Sequence, residues 1–414
     1  MTRRVLHLLS QRPSLTGSGV TLDALVRHGA RAGWDQWVVV GTPDDDPHPA
    51  VGGLAPERVR PLRFGGEALP FSVPGMSDVM PYPSTRFSAM TAEQLRRYRD
   101  AWRAHLTRVI DEVRPALIHA HHVWILSGLI KDVAPDLPVV VQCHATGLRQ
   151  MALCPHLAEE VRRGCARNER FLALQRGHAE ALASALALER HRVHQVGAGY
   201  RDDLFHMQGR RRAPASLVYV GKYSAAKGLP WLLDALERLP GVRLHVAGSG
   251  AGAEADALRR RMEGLDTVEL HGQLSQEGLG DLLRRAAVCV LPSFYEGVPL
   301  VLAEALACGC RLVATALPGV LDQLAPHLGA YLELVPLPRL EAVDRPVAAD
   351  TPAFVDALAA AIRAALARGP LAPDDALERA LTPFTWSAVF ARVEPVWLEL
   401  LAGQLSVTQD RSIV

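Results

Sequence analysis

The segment FYEGVPLVLAEALACG, residues 294–309, is almost entirely apolar or small, yet it carries Glu296 and Glu304 eight positions apart. A carboxylate in so apolar a stretch is costly to bury without a partner, and for this pair the partner points to a ligand. The run predicts a helix in which Pro299 takes the first-turn position that tolerates a missing N–H, while Gly297 removes a side chain beside the two acids. Free amides from Val298 through Leu300 to Val301, aided by the helix dipole, suit a pyrophosphate or a sugar oxygen. The bland alternative makes Glu296 a capping carboxylate and Glu304 a solvent-facing one. Upstream, VGKYSAAKG sets Lys222 at a strand end beside Gly221, and Lys227 five residues later. Two ammonium groups there can clamp an anion such as a diphosphate. VQCHATGL puts His144 just past a strand, and LTGSGV sets Gly17 and Gly19 between a strand and a helix, where backbone can approach a ligand.

These residues need a scaffold, and the alternation of short apolar runs with helical periodicity supplies one. RRVLHLLS, WDQWVVVG, PALIHAHH and LPVVVQCHA read as strands of a first half; LVYVG, VRLHVAG, VELHG and AAVCVLPS read as strands of a second. The expected fold class is α/β, two Rossmann-like doubly wound domains facing a central cleft. The expected boundaries are 1–195 for the first domain, 196–216 for a polar and basic linker, 217–380 for the second, and 381–414 for a helix crossing back and a tail. Residues 42–90, rich in proline and glycine, read as one long loop, and a helical span is expected near 159–187. At 414 residues, 49% hydrophobic, 21% charged and net charge +1, the chain favours small-molecule partners over nucleic acid or anionic membrane. Six cysteines without CxxC pairs fit reduced thiols in a cytoplasm, and no apolar run predicts an integral membrane contact.

The pair in YEGVPLVLAEALACG, with VGKYSAAKG upstream, resembles the retaining GT-B glycosyltransferases of family 4 through most of residues 217–323. The resemblance implies that Glu296 contacts donor-sugar hydroxyls and Glu304 holds the nucleotide ribose. Carboxylates suit both tasks, since each accepts two vicinal hydroxyl hydrogens. It implies a nucleoside-diphosphate sugar, GDP- or UDP-linked, as substrate, with no cofactor and no metal. Lys222 stands where the family usually has arginine, trading a planar fork for a point charge. The glycine-rich turn at Gly248 and the segment HGQLSQEG around Leu274 fall where the family binds donor and base, Gly17 and Gly19 where a loop faces diphosphate and acceptor, and His144 where a strand-end histidine faces the donor sugar. The expected chemistry retains configuration, the departing phosphate taking the acceptor proton on the face it leaves.

Other readings compete. VRLHVAGSGAGAEADALRRRM satisfies G-x-G-x-x-A after a strand, with Glu269 about 20 residues on, the spacing of a dinucleotide-binding dehydrogenase. A sugar-nucleotide epimerase shares the fold, and the arginine-rich helix EQLRRYRDAWRAHLTRVIDEV prompts a peripheral membrane or scaffold role, against which its interspersed acids favour a solvated face. His119, His121 and His122 invite a metal, but strand alternation puts only the first two on one face and no carboxylate accompanies them, so a packed or cleft-lining role is expected. Asp78, Tyr82, Arg86 and His122 are candidates for the acceptor side. The acceptor is expected to be a growing glycan or a small molecule, the wording around His144 being similar to a small-molecule branch that includes sulfur acceptors such as the thiol of ergothioneine.

Overall fold

The computed structural model describes residues 3–13, 16–46, 48–77, 80–144, 146–209, 213 and 215–411, with side chains to residue 403. Contacts divide the chain into two units, Met1–Gly197 with Trp386–Val414, and Ala198–Thr385. Asp78 lies outside the described residues.

The first unit runs β1 (Arg4–Leu9), α1 (Gly17–Arg31), β2 (Asp35–Pro43), β3 (Val59–Phe64), the minimal pair β4 (Pro74–Gly75) and β5 (Thr85–Arg86), then α2 (Ala92–Val113), β6 (Leu117–His121), α3 (Ile125–Val133), β7 (Val139–Cys143), α4 (Thr146–Leu153), α5 (Pro155–Cys165), β8 (Arg170–Ala173), α6 (Arg176–Leu186) and β9 (Val193–Gln195). Seven strands form one parallel sheet in the order β3-β2-β1-β6-β7-β8-β9. All five residues of β6 and of β7 are buried, as a sheet covered on both faces requires. The C-terminal helix, Trp386–Arg411, belongs to this unit. Its Trp397 is fully buried edge-on to Trp34, and the Trp34 indole donates to Glu394.

Three expectations need correction here. Residues 42–90 are not one loop: β3 adds to the sheet edge beside β2, and the alternation Val-Arg-Pro-Leu-Arg-Phe was too short and too basic to stand out. The span near 159–187 is two helices with β8 between them, a strand of four residues hidden by the flanking helical periodicity. Helix α1 begins at Gly17, so both glycines lie in its first turn rather than in a loop, with Thr16 as N-cap accepting from the Gly19 amide.

The second unit runs β10 (Ser216–Val220), α7 (Leu229–Leu236), β11 (Arg243–Ala247), α8 (Ala253–Glu263), β12 (Val268–Gly272), α9 (Gln276–Arg285), β13 (Val288–Leu291), α10 (Val301–Ala307), β14 (Arg311–Thr315), α11 (Ala325–Leu328), β15 (Leu332–Val335), the antiparallel pair β16 (Leu340–Ala342) and β17 (Arg345–Pro346), α12 (Thr351–Ala367) and α13 (Asp375–Leu381). Its parallel sheet has the order β12-β11-β10-β13-β14-β15. Within the stretch read as a linker, Tyr200 and Phe205 are buried in this unit's core beside Leu306 and Leu312. Both sheets therefore wind outward in two directions from a central strand. The crevice outside the carboxyl ends of the two strands at that reversal is the favoured ligand position in such sheets. In the second unit those strands are β10 and β13; in the first, β1 and β6.

Candidate functional site

The loops that leave β10 and β13 are joined. After β10, the Gly221 amide donates to Ala247 O at 3.0 Å, the Tyr223 amide to Ser249 O at 3.1 Å, and the Tyr219 hydroxyl to Lys222 O at 2.6 Å. The chain then turns through Ala225–Lys227 to Gly228, whose φ is +71°. A Cβ at Gly228 would lie 2.0 Å from the Pro292 carbonyl oxygen, so only glycine lets the two loops approach this closely. The Phe294 amide donates to Ala226 O at 3.0 Å, and the buried Phe294 ring packs edge-on to Trp231 at 4.9 Å. This stapling delivers Lys227 Nζ to Glu296 Oε1 at 2.7 Å and to Tyr295 O at 3.3 Å, while Ser293 Oγ donates to the same Glu296 oxygen at 2.8 Å. Both charged side chains keep a solvent face, 26% for Lys227 and 17% for Glu296. Lys222 is exposed and pairs with no described carboxylate.

Glu304 stands apart from that pair. It lies in the first turn of α10, a helix whose Leu302, Ala303, Ala305, Leu306 and Ala307 are all buried. Burial pushes its carboxyl up to about 7, and among the described residues no group hydrogen-bonds it. The capping reading of Glu296 is not realised: the N-cap of α10 is Leu300, without a side-chain cap, and Glu296 is spent on Lys227 and Ser293. Nor does Pro299 open the helix. It is buried in the turn before α10, whose first residue is Val301, because the amides of Leu300 and Leu302 close tighter bonds to Val298 O and Pro299 O. Among the described residues, no acceptor lies in hydrogen-bonding geometry for the amides of Gly297, Val298 or Val301.

Gly248 follows β11 with φ +139°, and its amide donates to Gly272 O at 2.7 Å. A Cβ there would sit 1.9 Å from Gly221 O, so this glycine serves the packing of adjacent loops. Its placement also disposes of the dinucleotide reading: the GSGAGA turn follows β11, the second strand outward, whereas such a fingerprint must follow the central strand, here β10. Leu274 is half-buried against the core that holds α10, one residue before Ser275, the N-cap of α9.

In the first unit, the ends of β6 and β7 carry a stack of imidazoles. His119 lies 4.9 Å from His121, His121 5.3 Å from His144, and His7 of β1 5.4 Å from His119, centroid to centroid. His121 Nδ1 and His144 Nε2 share a hydrogen bond of 3.1 Å, and His122 Nδ1 meets Thr146 Oγ1 at 2.9 Å. Burial holds His7 down to about 4 and His144 to about 3, and pushes His119, His121 and His122 well below the ordinary range. The stack is therefore neutral near pH 7. His122 has φ +72°, a left-handed conformation costly to any residue with a side chain. Its amide donates to Gln142 O and its carbonyl accepts from Ser127 Oγ at 2.6 Å, which hold it there. Gly19 is obligatory, since a Cβ would meet Pro13 O at 2.0 Å, while Gly17 faces open space. Tyr82 is buried with the Arg12 guanidinium 5.5 Å from its ring centroid, and Arg86 is exposed.

Sequence reasoning passed over Ser293, Gly228 and Thr146 as members of these clusters, whereas His121 was expected beside His119 in a packed or cleft-lining role. Gly228 alone left a signal, as the last residue of VGKYSAAKG; the others are recognisable only from what they touch.

Comparison with known proteins bears on the fold that carries these residues. A family model described as Glycosyl transferases group 1 matches residues 214–366. The D-inositol 3-phosphate glycosyltransferase of Xylanimonas cellulosilytica is 30% identical over 236 residues, 49% of this chain and 56% of that protein. The chain thus spans about half the length of the curated relatives it matches. Among solved structures, the sucrose-phosphate synthase of Thermosynechococcus elongatus superposes with a TM-score of 0.65 at 19% identity, covering 97% of this chain and 100% of that one. Anabaena HepE in complex with UDP and glucose gives 0.57 at 15% identity, covering 94% and 98%. No described helix is long and apolar enough to cross a membrane. The fold is that of the GT-B glycosyltransferases, and residues 214–366 are similar to the domain described as Glycosyl transferases group 1.

Proposed function

We propose that the protein transfers a sugar from a nucleoside-diphosphate donor, bound by the second unit, to an acceptor, with retention of configuration and without a catalytic metal. The observation that carries this is that the loops leaving the switch-point strands β10 and β13 hold the Lys227–Glu296 pair, while the helix that follows β13 carries the unpartnered Glu304. Glu304, half-protonated near neutral pH and lacking a protein partner, gains most from the two hydroxyls of a ribose. Lys227 and Glu296 neutralise one another without ligand; a donor separates them, its diphosphate taking the ammonium and its sugar hydroxyls the carboxylate. Lys222 and the free amides of Gly297, Val298 and Val301 add positive potential for the leaving group. As the bond from the anomeric carbon to the phosphate oxygen breaks, the acceptor heteroatom forms its bond on the same face, and its proton passes to the departing phosphate oxygen. The protein's contribution is placement and charge stabilisation.

The acceptor belongs to the first unit, where the neutral stack ending at His144 offers hydrogen bonds without charge. A small molecule bearing a hydroxyl or thiol, or a growing glycan, suits such a surface. All six cysteines are buried thiols, which accords with a reducing cytoplasm. Calorimetry with UDP, GDP and ADP tests the reading: one diphosphate should bind the wild-type chain and lose at least tenfold in affinity in Glu304→Ala. Equal affinity of the two proteins for all three nucleotides would sink it.

A further inference from the structure

The second unit holds one cluster that glycosyl transfer does not use. β12 is the edge strand beside β11, and their parallel register sets His245 directly opposite Glu269. His271, two residues beyond Glu269, returns to the same face. His245 Nδ1 lies 3.1 Å from His271 Nε2 and 3.2 Å from Glu269 Oε2, and His271 Nε2 lies 3.5 Å from Glu269 Oε1. Both imidazoles are largely covered, at 14% exposure, whereas the carboxylate is open to solvent at 56%. Glu269 is the acid that completed the dinucleotide spacing in the sequence, so this reading accounts for a residue otherwise left without a task.

We propose that His245, Glu269 and His271 bind a divalent transition-metal ion of the zinc class, independently of the glycosyltransferase reading. Ligand bonds of about 2.0–2.1 Å separate neighbouring donor atoms by about 2.9 Å at right angles and about 3.4 Å at tetrahedral angles; the 3.1 and 3.2 Å separations fall within that range, and the 3.5 Å one, to the other carboxylate oxygen, lies just beyond it. Protons satisfy this triangle only at a cost: the two Glu269 oxygens can each accept one imidazole N–H, but those two N–H groups then lie 3.1 Å apart, and with a single inward proton one contact is left without a proton. A cation at the centre satisfies all three lone pairs and leaves a coordination position for water on the exposed side. Two imidazoles and one carboxylate suit zinc, cobalt or nickel rather than magnesium or calcium. Arg243 and Arg285 bring positive charge near His245, but both side chains are exposed and screened by salt.

The consequence is a cross-link between two strands. His245 precedes Gly248 by three residues and His271 precedes Leu274 by three, so the ion ties β11 to β12 just before both loops leave the sheet. The test uses the full chain without a histidine tag, stripped with chelator and titrated with Zn²⁺ by calorimetry and with Co²⁺ by visible absorption. One equivalent is expected at micromolar affinity or tighter, with a nitrogen- and oxygen-ligated cobalt spectrum. Affinity should fall at least tenfold in His271→Ala and in Glu269→Gln, whose exposed side chain is not needed for folding. Zinc should also slow hydrogen exchange in peptides covering 243–250 and 268–276 of the wild type only. Absence of binding, or equal binding by wild type and the His271→Ala/Glu269→Gln double variant, overturns the proposal.

Discussion

The two units share one winding scheme and differ in what they place at its reversal. The first lines the ends of β1, β6 and β7 with five imidazoles, His7, His119, His121, His122 and His144, all kept neutral by burial. The second lines the ends of β10 and β13 with lysines and carboxylates that retain a solvent face or lack a partner. Topology fixes where a ligand meets a doubly wound sheet; the side chains on the departing loops fix its charge. A neutral stack suits an uncharged partner, and an ion pair that must open suits a charged one.

The largest effect that follows is on turnover. Lys227→Ala should leave Glu296 without its cation and the leaving group without an ammonium, lowering kcat/KM at least about 100-fold, or about 2.7 kcal/mol in the transition state. His144→Gln, which keeps a hydrogen-bonding group in the neutral unit, should cost less than about tenfold. Rates measured with one donor and one acceptor decide the matter, and a reversed ranking would break the assignment of charge to the second unit.

Acid titration should separate the units next, because the signs are opposite. Each histidine has a folded pKa below its unfolded value, so the stabilisation is complete above pH 6.5 and is lost as pH falls toward 4, by up to about 1.4 kcal/mol per pH unit per histidine. Glu304 has a folded pKa of about 7, above the model-compound value of 4.5. Its share of stability is greatest below pH 4.5 and is lost as pH rises through 7, about 3 kcal/mol in all. Six of the seven tryptophans lie in the first unit and only Trp231 in the second. Urea melts of Trp231→Phe by fluorescence therefore read the first unit, whose midpoint should drop steeply between pH 6.5 and 5. Glu304→Gln should abolish the loss between pH 4.5 and 7 in the second unit, and nucleotide binding at pH 6.5 should release protons from wild type but not from this variant.

How much of this was legible in the sequence depended on length and on contact. In the second unit LVYVG, VRLHVAG and VELHG each end on glycine and AAVCVLPS is a plain apolar run, and the E-x7-E pair stands out because nothing between its two acids is polar. In the first unit, β3 alternates with arginines and β8 spans only Arg170–Ala173, so periodicity had too few residues to register either. The onset of α10 was misplaced for a different reason: Pro299 is compatible with a first turn, but tight bonds to Val298 O and Pro299 O defer the helix by two residues. The pairing of Lys227 with Glu296 spans 69 positions and rests on a backbone approach at Gly228, which no local pattern encodes.

That approach has a counterpart in Gly248. A Cβ at 1.9 Å from Gly221 O cannot be relieved by rotating a side chain, so Gly248→Ala should destabilise the second unit by about 2–4 kcal/mol. Proteolysis or hydrogen exchange should show that loss confined to peptides of residues 198–385, with the first unit unchanged. A uniform loss across both units would mean that they fold as one, and the comparison between them would have to be redrawn.

The smallest effect concerns His122, which occupies after β6 a left-handed backbone that the second unit reserves for glycine after β11. Its ring is held by Thr146 and its peptide by Gln142 and Ser127. Removing the ring by His122→Ala loses the Thr146 bond and keeps the backbone strain; His122→Gly loses the same bond and relieves the strain. Glycine would ordinarily be the worse choice by its greater chain entropy. Here the glycine variant should be the more stable of the two by about 1 kcal/mol in urea melts. If alanine is instead the more stable, the backbone at His122 is not strained, and the conformation owes nothing to the clamp formed by Gln142 and Ser127. Equal activity of both variants would further restrict the acceptor side to His144 and its neighbours in the stack.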